Sequence, residues 1–464
     1  MSGFFELKIV ISGPFGLGSL ADEAVLAGLL ARLSAAKHEI TVLSAHPDQI
    51  LELHELGNVR AVALPAPGSV LSTPEAWQAM AKAHLVVVAT AGTIGDSGNP
   101  PARTWLSHAE HARTLEIKSA VVGVGARPIP DARDRTRVQR LLHNFTDCLS
   151  ARDEASKLAL VSYGLSSSRI SNNGSPVFAL GEKLPKATPT VPRVGLVLAP
   201  RIPSHPDFGF EEVHASGPVL AATQALAAGL LQEAGVRLSV FHDHTPAAEK
   251  HARALTPKGS EIDAARIDYI PCDRPISEIR EAMAACEVIF SCSLHGVILA
   301  ATAGVPVLGC DAETGTKYIL DMLMPGANLA IPAGAQGEPF DVAVALERLK
   351  QRRADAATLR EKVSARLKLL VRKEAQNGRM LELLVPRRDR WDVDAARDAE
   401  KPGKRGSAGK RKRREEDTGI AEPDFDSDAD GDSFPIREDR NEKPSRTFRP
   451  REEHRKPKRF QKKK

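Results

Sequence analysis

Short apolar runs rich in β-branched residues alternate with longer amphipathic segments along the first 385 positions of the chain. Each run is bounded by polar or glycine-containing segments and predicts a buried strand. Helical patterns lie between the runs, at 22–36, 74–83, 102–116 and 133–144. In the first part of the chain, strands are predicted at 7–12, 38–44, 60–64, 84–90, 119–125 and 147–151. This alternation is typical of a parallel sheet covered by helices on both faces.

The pattern starts again after a proline-rich segment, LPKATPTVP at 184–192. Proline lacks a backbone N–H, so this segment cannot continue a helix or a strand and is interpreted as a linker. Beyond it, strands are predicted at 194–200, 236–242, 266–270, 287–291 and 305–310, with helices at 214–234, 275–285 and 294–303 and a closing helical pair at about 340–376 and 379–385. We therefore predict an α/β protein with two Rossmann-like domains, 1–183 and 193–385, in a GT-B-type arrangement. In such folds the ligand binds where the carboxyl ends of the two sheets face each other.

Residues 386–464 lack apolar periodicity and consist of charge blocks, including KRKRR at 410–414 and an acidic run from Asp424 to Asp432. Residues 401–464 hold 21 basic and 14 acidic side chains, which leaves 43 and 45 in residues 1–400. The net charge of +5 therefore comes from the tail. Too few apolar groups are present to offset chain entropy, so a disordered tail is predicted. It could be a solubilising appendage, an RNA contact or an attachment to an anionic membrane surface.

Deletion of 388–464 is expected to leave the Tm of the protein nearly unchanged, because the tail offers almost no apolar surface for burial. Thermal unfolding of the full-length and truncated chains tests this expectation. A drop of several degrees on truncation would show that the tail packs on the folded part. Any binding of the full-length protein to RNA or anionic vesicles should weaken with salt and disappear with the tail.

The composition of the chain disfavours several other classes of protein. No apolar stretch approaches the ~18 residues of a membrane-spanning helix, and the N-terminus lacks the basic start of a signal peptide. The five cysteines show no CxxC spacing, so neither a disulfide framework nor a zinc site is expected. The His-Asp-His sequence at 242–244 is interpreted as a loop rather than a metal site. We expect a cytoplasmic protein without a bound metal.

The first candidate site is the glycine-rich segment that follows the first predicted strand. A helix that begins after such a loop can bind an anion or sugar hydroxyls at its N-terminus, although capped helices after tight turns are also common in α/β proteins. Ser19 and Asp22 have the spacing of a capping box. The spacing is not a clean GxGxxG, which disfavours NAD. The residues of this segment that we single out are Gly13, Gly16, Gly18, Ser19, Asp22 and Glu23.

Two further junctions between a strand and a helix carry candidate anion-binding residues. Arg152 stands at the end of the sixth predicted strand, where its guanidinium can hold a carboxylate or phosphate or can pair with an acid at the helix start. The cap of that helix is predicted to be Asp153 or Ser150. Ser293 is the predicted N-cap of an apolar helix and His295 lies in its first turn, either beside a bound anion or as a buried structural histidine.

Taken together, the three junctions resemble the polysaccharide pyruvyl transferase family. The family motifs are a glycine-rich loop ending in GDEA, an RD pair followed closely by Ser, and S-x-R-L-H-x with a later GVP. The matching residues are Asp22, Glu23 and Ala24, then Arg152, Asp153 and Ser156, then Ser291, Leu294, His295, Gly304, Val305 and Pro306. The GVGARPI segment at 123–129 resembles the family's GxGAGP-type strand end. The resemblance covers most of residues 7–325.

The chain departs from the family pattern at several positions. Ser293 replaces the usual arginine, and CDAE at 310–313 replaces Tyr-Asp-Pro-Lys, so that Glu313 takes the place of the lysine. Ser19 and Ala21 replace Asn and Gly in the opening motif. Arg127 stands where Gly is usual and could restore part of the lost positive charge. These departures bear on the identity of the donor more than on the fold.

The resemblance implies transfer of a pyruvyl group from phosphoenolpyruvate to two hydroxyls of a glycan or lipid-linked sugar, in cell-surface polysaccharide biosynthesis. Phosphoenolpyruvate is the donor substrate and no cofactor is implied. In this sequence Arg152 would hold the donor anion, the helix opening at Ser293 and Leu294 would bind phosphate, and His295 would move a proton. Asp22 or Glu23 would orient sugar hydroxyls, although Asp22 suits a capping role equally well. Such an enzyme would act in the cytoplasm, either free or at the inner face of the membrane.

Two other functions fit the same pattern. A GT-B glycosyltransferase that uses a nucleotide sugar would place the diphosphate at the helix that begins after Ser293 and needs no arginine there. A non-catalytic binding protein with a GT-B fold would also explain why Ser293 and Glu313 replace the family's arginine and lysine. Thermal shift with phosphoenolpyruvate and with nucleotide sugars separates the three possibilities.

Overall fold

The computed structural model describes residues 7–33, 38–54, 59–64, 73–95, 100–198, 217–255, 264–311, 315–332 and 339–385. The predicted tail at 386–464 lies outside these residues. None of the helices among them is long and apolar enough to cross a lipid bilayer.

The first half of the chain forms a parallel sheet with helices on both of its faces. The strand order among the described residues is β3-β2-β1-β4-β6-β7-β8, with the short β5 paired to β6. The strands are β1 (Lys8–Ser12), β2 (Glu39–Ser44), β3 (Val59–Ala63), β4 (Leu85–Val88), β5 (Thr93–Ile94), β6 (Lys118–Ala126), β7 (Cys148–Ala151) and β8 (Ile170–Asn172). The helices are α1 (Leu20–Arg32), α2 (Pro47–Leu53), α3 (Pro74–Ala81), α4 (Pro100–Thr114), α5 (Ala132–Asn144) and α6 (Glu154–Ser162).

The second half forms another parallel sheet, in the order β11-β10-β9-β12-β13-β14. Its strands are β9 (Arg193–Val197), β10 (Arg237–His242), β11 (Ile267–Pro271), β12 (Val288–Ser291), β13 (Val307–Cys310) and β14 (Ala330–Ile331). Its helices are α7 (Gly217–Leu231), α8 (Pro246–Arg253), α9 (Ile276–Ala284), α10 (Leu294–Thr302), α11 (Thr316–Leu323), α12 (Val342–Ala354) and α13 (Ala356–Leu384). The predicted α/β fold with two Rossmann-like sheets is thus confirmed.

The central strands read as continuous apolar runs because both faces of each sheet are covered. In β1, Ile9 and Ile11 join one hydrophobic core, whereas Val10 points to the opposite face and joins another. All three side chains are at most 2% exposed. Parallel sheets with helices on both faces bury their strands in this way.

The order of the strands indicates where each sheet can bind a ligand. The order reverses between β1 and β4 in the first sheet and between β9 and β12 in the second. The loops that leave neighbouring strands at such a point run to opposite faces and leave a gap between them. The glycine-rich loop follows β1, and Ser293 and His295 follow β12, so both predicted motifs lie at these gaps.

The closing helices differ from the prediction. The break lies at Asp355, between α12 and α13, and α13 continues through the predicted break near residues 377–378. Gly378 is helical and serves close packing, since a Cβ there would lie 2.7 Å from the Cδ of Arg32 in α1. Helix α13 therefore packs back onto the first half, and the Asn377 amide accepts a hydrogen bond from Ser150 at 2.8 Å.

Candidate functional site

The glycine-rich loop after β1 is held by a buried carboxylate. Glu23 accepts a hydrogen bond from the Gly16 backbone N–H at 2.6 Å through Oε1. Its Oε2 lies 2.9 Å from Nε2 of His54. Both oxygens are thus engaged within the first half, and the side chain is fully buried. Glu23 therefore holds the glycine-rich loop in place.

Asp22 lies at the start of α1 and remains partly accessible. Ser19 caps the helix by accepting from the Asp22 N–H at 3.3 Å. The Asp22 carboxylate does not complete a capping box; it accepts from the Ala91 N–H at 2.8 Å and from the Thr90 hydroxyl at 3.4 Å. Asp22 therefore joins α1 to the loop after β4.

Burial raises the pKa of Asp22 to about 7, and the neighbouring carboxylates of Glu23 and Asp243 act in the same direction. The hydrogen bonds from Ala91 and Ser19 oppose this shift. A carboxyl group with this pKa exchanges its proton near neutral pH, as a general acid or base requires.

Arg152 follows β7, as predicted, and is 3% exposed. Its Nε donates to the Asp153 carboxylate at 3.0 Å, and its Nη1 lies 3.5 Å from the Ala91 carbonyl oxygen. Asp153 is the cap of α6, since it accepts from the Ser156 N–H at 2.7 Å. The predicted pairing with a neighbouring acid is therefore present.

Ser293 caps α10 as predicted, accepting from the Gly296 N–H at 3.3 Å. His295 lies in the first turn of this helix and is 3% exposed. Burial lowers the pKa of His295 well below its usual value, and the positive charge of Arg152 lowers it further. The imidazole is therefore neutral at pH 7 in the absence of a bound anion.

Arg152 and His295 come from the two halves of the chain, and they lie close enough for the charge of Arg152 to lower the pKa of His295. The clearest geometric marker is Gly315, which precedes α11. A Cβ on Gly315 would lie 3.2 Å from Cδ1 of Leu294, the residue beside His295. It would also lie 3.3 Å from Oδ2 of Asp153 and 3.5 Å from Nη2 of Arg152, the two groups of the Arg152–Asp153 pair. A small anion next to Arg152 would thus face the first turns of both α10 and α11, whose backbone N–H groups favour negative charge.

Arg127 and Gly13 lie against neighbouring loops of the first half. Arg127 leaves the end of β6, and its Nε donates to the Gly95 carbonyl oxygen at 3.4 Å, beside β5. Gly13 passes close to the loop after β4, where a Cβ would lie 2.2 Å from the Ala89 carbonyl oxygen. Glu313, which replaces the family's lysine, lies outside the described residues.

The sequence interpretation missed the contribution of the His-Asp-His segment. Asp243 accepts from the Leu20 N–H at 2.8 Å, and the His244 N–H donates to the Gly18 carbonyl oxygen at 2.7 Å. The local sequence pattern indicates only a loop here. A contact between residues more than 220 positions apart leaves no signal in that pattern. Among the described residues, no group of His, Cys, Asp and Glu side chains is arranged to hold a metal ion.

Solved structures with the same arrangement of sheets include HepE from Anabaena, in complex with UDP and glucose. It is 15% identical to this chain, with a TM-score of 0.53, over 81% of this chain and 100% of that one. Sucrose-phosphate synthase from Thermosynechococcus elongatus is 13% identical, with a TM-score of 0.50, over 81% of this chain and 98% of that one. At these identities the likeness shows a shared GT-B-type fold.

No curated protein sequence matches the chain significantly. The model of the family "Polysaccharide pyruvyl transferase" matches residues 22–313, a span that begins at Asp22 and includes Arg152 and His295. The match extends over more than half of the chain and includes strands of both sheets. The chain belongs to the polysaccharide pyruvyl transferase family.

Proposed function

We propose that the cleft transfers a pyruvyl group from phosphoenolpyruvate to two hydroxyls of one sugar, on a glycan or a lipid-linked acceptor. The observation that carries this proposal is the proximity of Arg152 and His295, one from each half of the chain, near Leu294 at the start of α10 and Gly315 at the start of α11. Phosphoenolpyruvate carries a carboxylate and a phosphate, and a buried cation with helix N-termini suits both groups. Membership of the family supports the reaction class.

The reaction needs two proton transfers and no change of oxidation state. Two sugar hydroxyls form C–O bonds to the central carbon of the donor, and the bond from that carbon to the phosphate oxygen breaks. One hydroxyl proton is balanced by a proton added to the methylene carbon, which becomes a methyl group. The other is balanced by the proton taken up by the departing phosphate. The site must therefore bind an anion, donate a proton to carbon and remove protons from hydroxyls.

The site residues match these tasks. Arg152 binds the carboxylate or phosphate, and the first turn of α10 binds phosphate through its backbone N–H groups. His295 donates the proton to the methylene carbon, and the bound anion, which offsets the charge of Arg152, favours the imidazolium form that this step requires. Asp22, with a pKa near 7, orients a sugar hydroxyl and accepts its proton.

The second candidate donor is a nucleotide sugar. The observation in its favour is Ser293, the N-cap of α10, which stands where the family has arginine; a diphosphate bound by the backbone N–H groups of this helix start requires no arginine there. HepE, which shares the fold, was solved with UDP and glucose bound. The transferase chemistry would then be glycosyl transfer in the same cleft.

A substitution at residue 293 distinguishes the two donors. If the site is built for phosphoenolpyruvate, Ser293→Arg should restore a cation and tighten donor binding roughly tenfold, since a charge-assisted contact is worth about 1.5–3 kcal/mol. If the site holds a nucleotide sugar, the larger side chain should crowd the start of α10 and weaken that ligand.

Calorimetric titration of both donors into wild type, Ser293→Arg and Ser293→Ala measures the outcome. The alanine variant is the matched control, because it removes the helix cap without adding a charge. Weaker binding of phosphoenolpyruvate to Ser293→Arg than to Ser293→Ala would argue against this donor.

A further inference from the structure

The segment His242–His244 at the end of β10 is anchored in the second half of the chain. The His242 carbonyl oxygen accepts from the Cys272 N–H at 3.0 Å, which ties the segment to the end of β11. His242 Nδ1 lies 2.8 Å from the Asp243 carbonyl oxygen, which fixes the turn. His242 and Asp243 are 4% and 6% exposed, so these two residues are packed, whereas the His244 side chain is exposed.

From this position the segment contacts the glycine-rich loop of the first half. The Asp243 carboxylate accepts from the Leu20 N–H, the first helical residue of α1, at 2.8 Å. The His244 N–H donates to the Gly18 carbonyl oxygen at 2.7 Å. Gly18 has φ of +73°, and a Cβ there would lie 2.4 Å from the His244 carbonyl oxygen. Both the turn and the close approach therefore require glycine at this position.

The start of α1 is thus capped from two sides. Ser19 of its own chain segment accepts from Asp22, whereas Asp243 of the other half accepts from Leu20. Unpaired N–H groups at a helix start are costly when they are buried, so loss of either cap loosens the first turn. This first turn carries Asp22, whose carboxylate binds Ala91.

We propose that Asp243 is a positioning residue that places Asp22 by capping α1 from the opposite side of the cleft. The position of Asp22 then depends on how the two halves pack against each other. Asp243 follows a strand of the second sheet, whereas α1 follows a strand of the first. The proposal deepens the proposed function, since it concerns the residue that is proposed there to orient the acceptor. The contacts from Asp243 to Leu20 and from His244 to Gly18 are nevertheless present without any ligand.

The charge of Asp243 has a second consequence for Asp22. Together with burial and Glu23, it favours the protonated form of Asp22. Glu23 is itself engaged by Gly16 and His54. The other titratable groups around Asp243 are His242, His244, Cys272 and Asp273. Asp243→Asn keeps an oxygen that can accept from Leu20 but removes the charge, so it separates the cap from the electrostatic effect.

Hydrogen exchange of the full-length protein without ligand tests the cap. Asp243→Ala should speed exchange of the backbone amides at 18–22 by at least about tenfold, and Asp243→Asn should restore most of the protection. The matched control is Asp131→Ala, which removes the local cap of α5 and should affect only that helix. Unchanged exchange at 18–22 in Asp243→Ala would overturn the proposal, as would a failure of Asn to restore protection.

The pH dependence of unfolding tests the link to Asp22. A carboxyl whose pKa is raised in the folded protein contributes stability at low pH that is lost as pH rises through about 7. Asp243→Asn removes a like charge, so stability should fall less between about pH 5.5 and about pH 8 than in wild type. In an Asp22→Asn background the same substitution should have no such effect, and an equal effect there would overturn the proposal. Neither experiment uses a donor, so failure of the proposed function leaves both interpretable.

Discussion

Replacing Arg152 with alanine is expected to weaken the binding of phosphoenolpyruvate about ten- to a hundred-fold. The guanidinium is buried, faces the first turns of α10 and α11, and is the cation that the proposal assigns to the donor. A charge-assisted contact is worth about 1.5–3 kcal/mol, which corresponds to this range of dissociation constants. Calorimetric titration of wild type and variant provides the measurement, with circular dichroism as the check on folding.

Two further variants refine this prediction. Arg152→Lys keeps a positive charge beside Asp153 but loses the planar fork, so its affinity should lie between those of wild type and Arg152→Ala. His295→Ala should weaken donor binding as well. Unchanged affinity in both alanine variants would show that Arg152 and His295 are structural residues.

The electrostatic interaction between Arg152 and His295 can also be measured without a donor. The charge of Arg152 lowers the pKa of His295, so Arg152→Ala should raise that pKa. Burial still keeps it below the usual value, because burial is the larger cause. Proton NMR of the imidazole signals follows the titration, and an unchanged pKa would place the two residues apart.

Replacing Glu374 with alanine is expected to lower the free energy of unfolding by about 3–5 kcal/mol, the largest effect on stability that we predict. Glu374 lies on α13 and is fully buried. The Nε of Arg32 in α1 donates to its Oε2 at 2.8 Å, and the Nη2 of Arg32 lies 2.6 Å from the same oxygen in an ion pair. This pair ties the closing helix to the first half, and its loss leaves a largely buried guanidinium without its buried partner.

Glu182 provides the matched control because it binds the same arginine at the surface. Its carboxylate lies 2.7 Å from Nη1 of Arg32, and its side chain is 54% exposed. Glu182→Ala should therefore cost less than about 1 kcal/mol. Urea unfolding of both variants measures the difference, and equal losses would contradict the role assigned to Glu374.

The fold could be predicted because buried parallel strands leave a strong local signal. The runs at 7–12 and 119–125, for example, correspond to β1 and β6. The two- and three-residue strands β5, β8 and β14 were missed, since so few residues carry no pattern. The predicted break near residues 377–378 is wrong. Helix α13 continues through Gly378, because the missing side chain there allows close packing against Arg32.

The candidate site could be predicted as far as its residues stand at strand ends. The placement of Ser293 and His295 on α10 follows from local patterns of capping and hydrophobicity. The hydrogen-bond partners of Asp22 and Asp243 could not be predicted in the same way. Ala91 and Leu20 are distant in sequence and come close to them only in the folded chain. The burial that sets the pKa of His295 is likewise a property of the whole cleft.

The identity of the donor is tested most directly by titrating phosphoenolpyruvate and UDP-glucose into the full-length protein under the same conditions. Phosphoenolpyruvate is expected to bind at one site per chain, and Arg152→Ala is expected to weaken this binding about ten- to a hundred-fold. UDP-glucose is expected to bind more weakly than phosphoenolpyruvate. Binding of UDP-glucose that depends on Arg152, together with no detectable binding of phosphoenolpyruvate, would contradict the proposed donor.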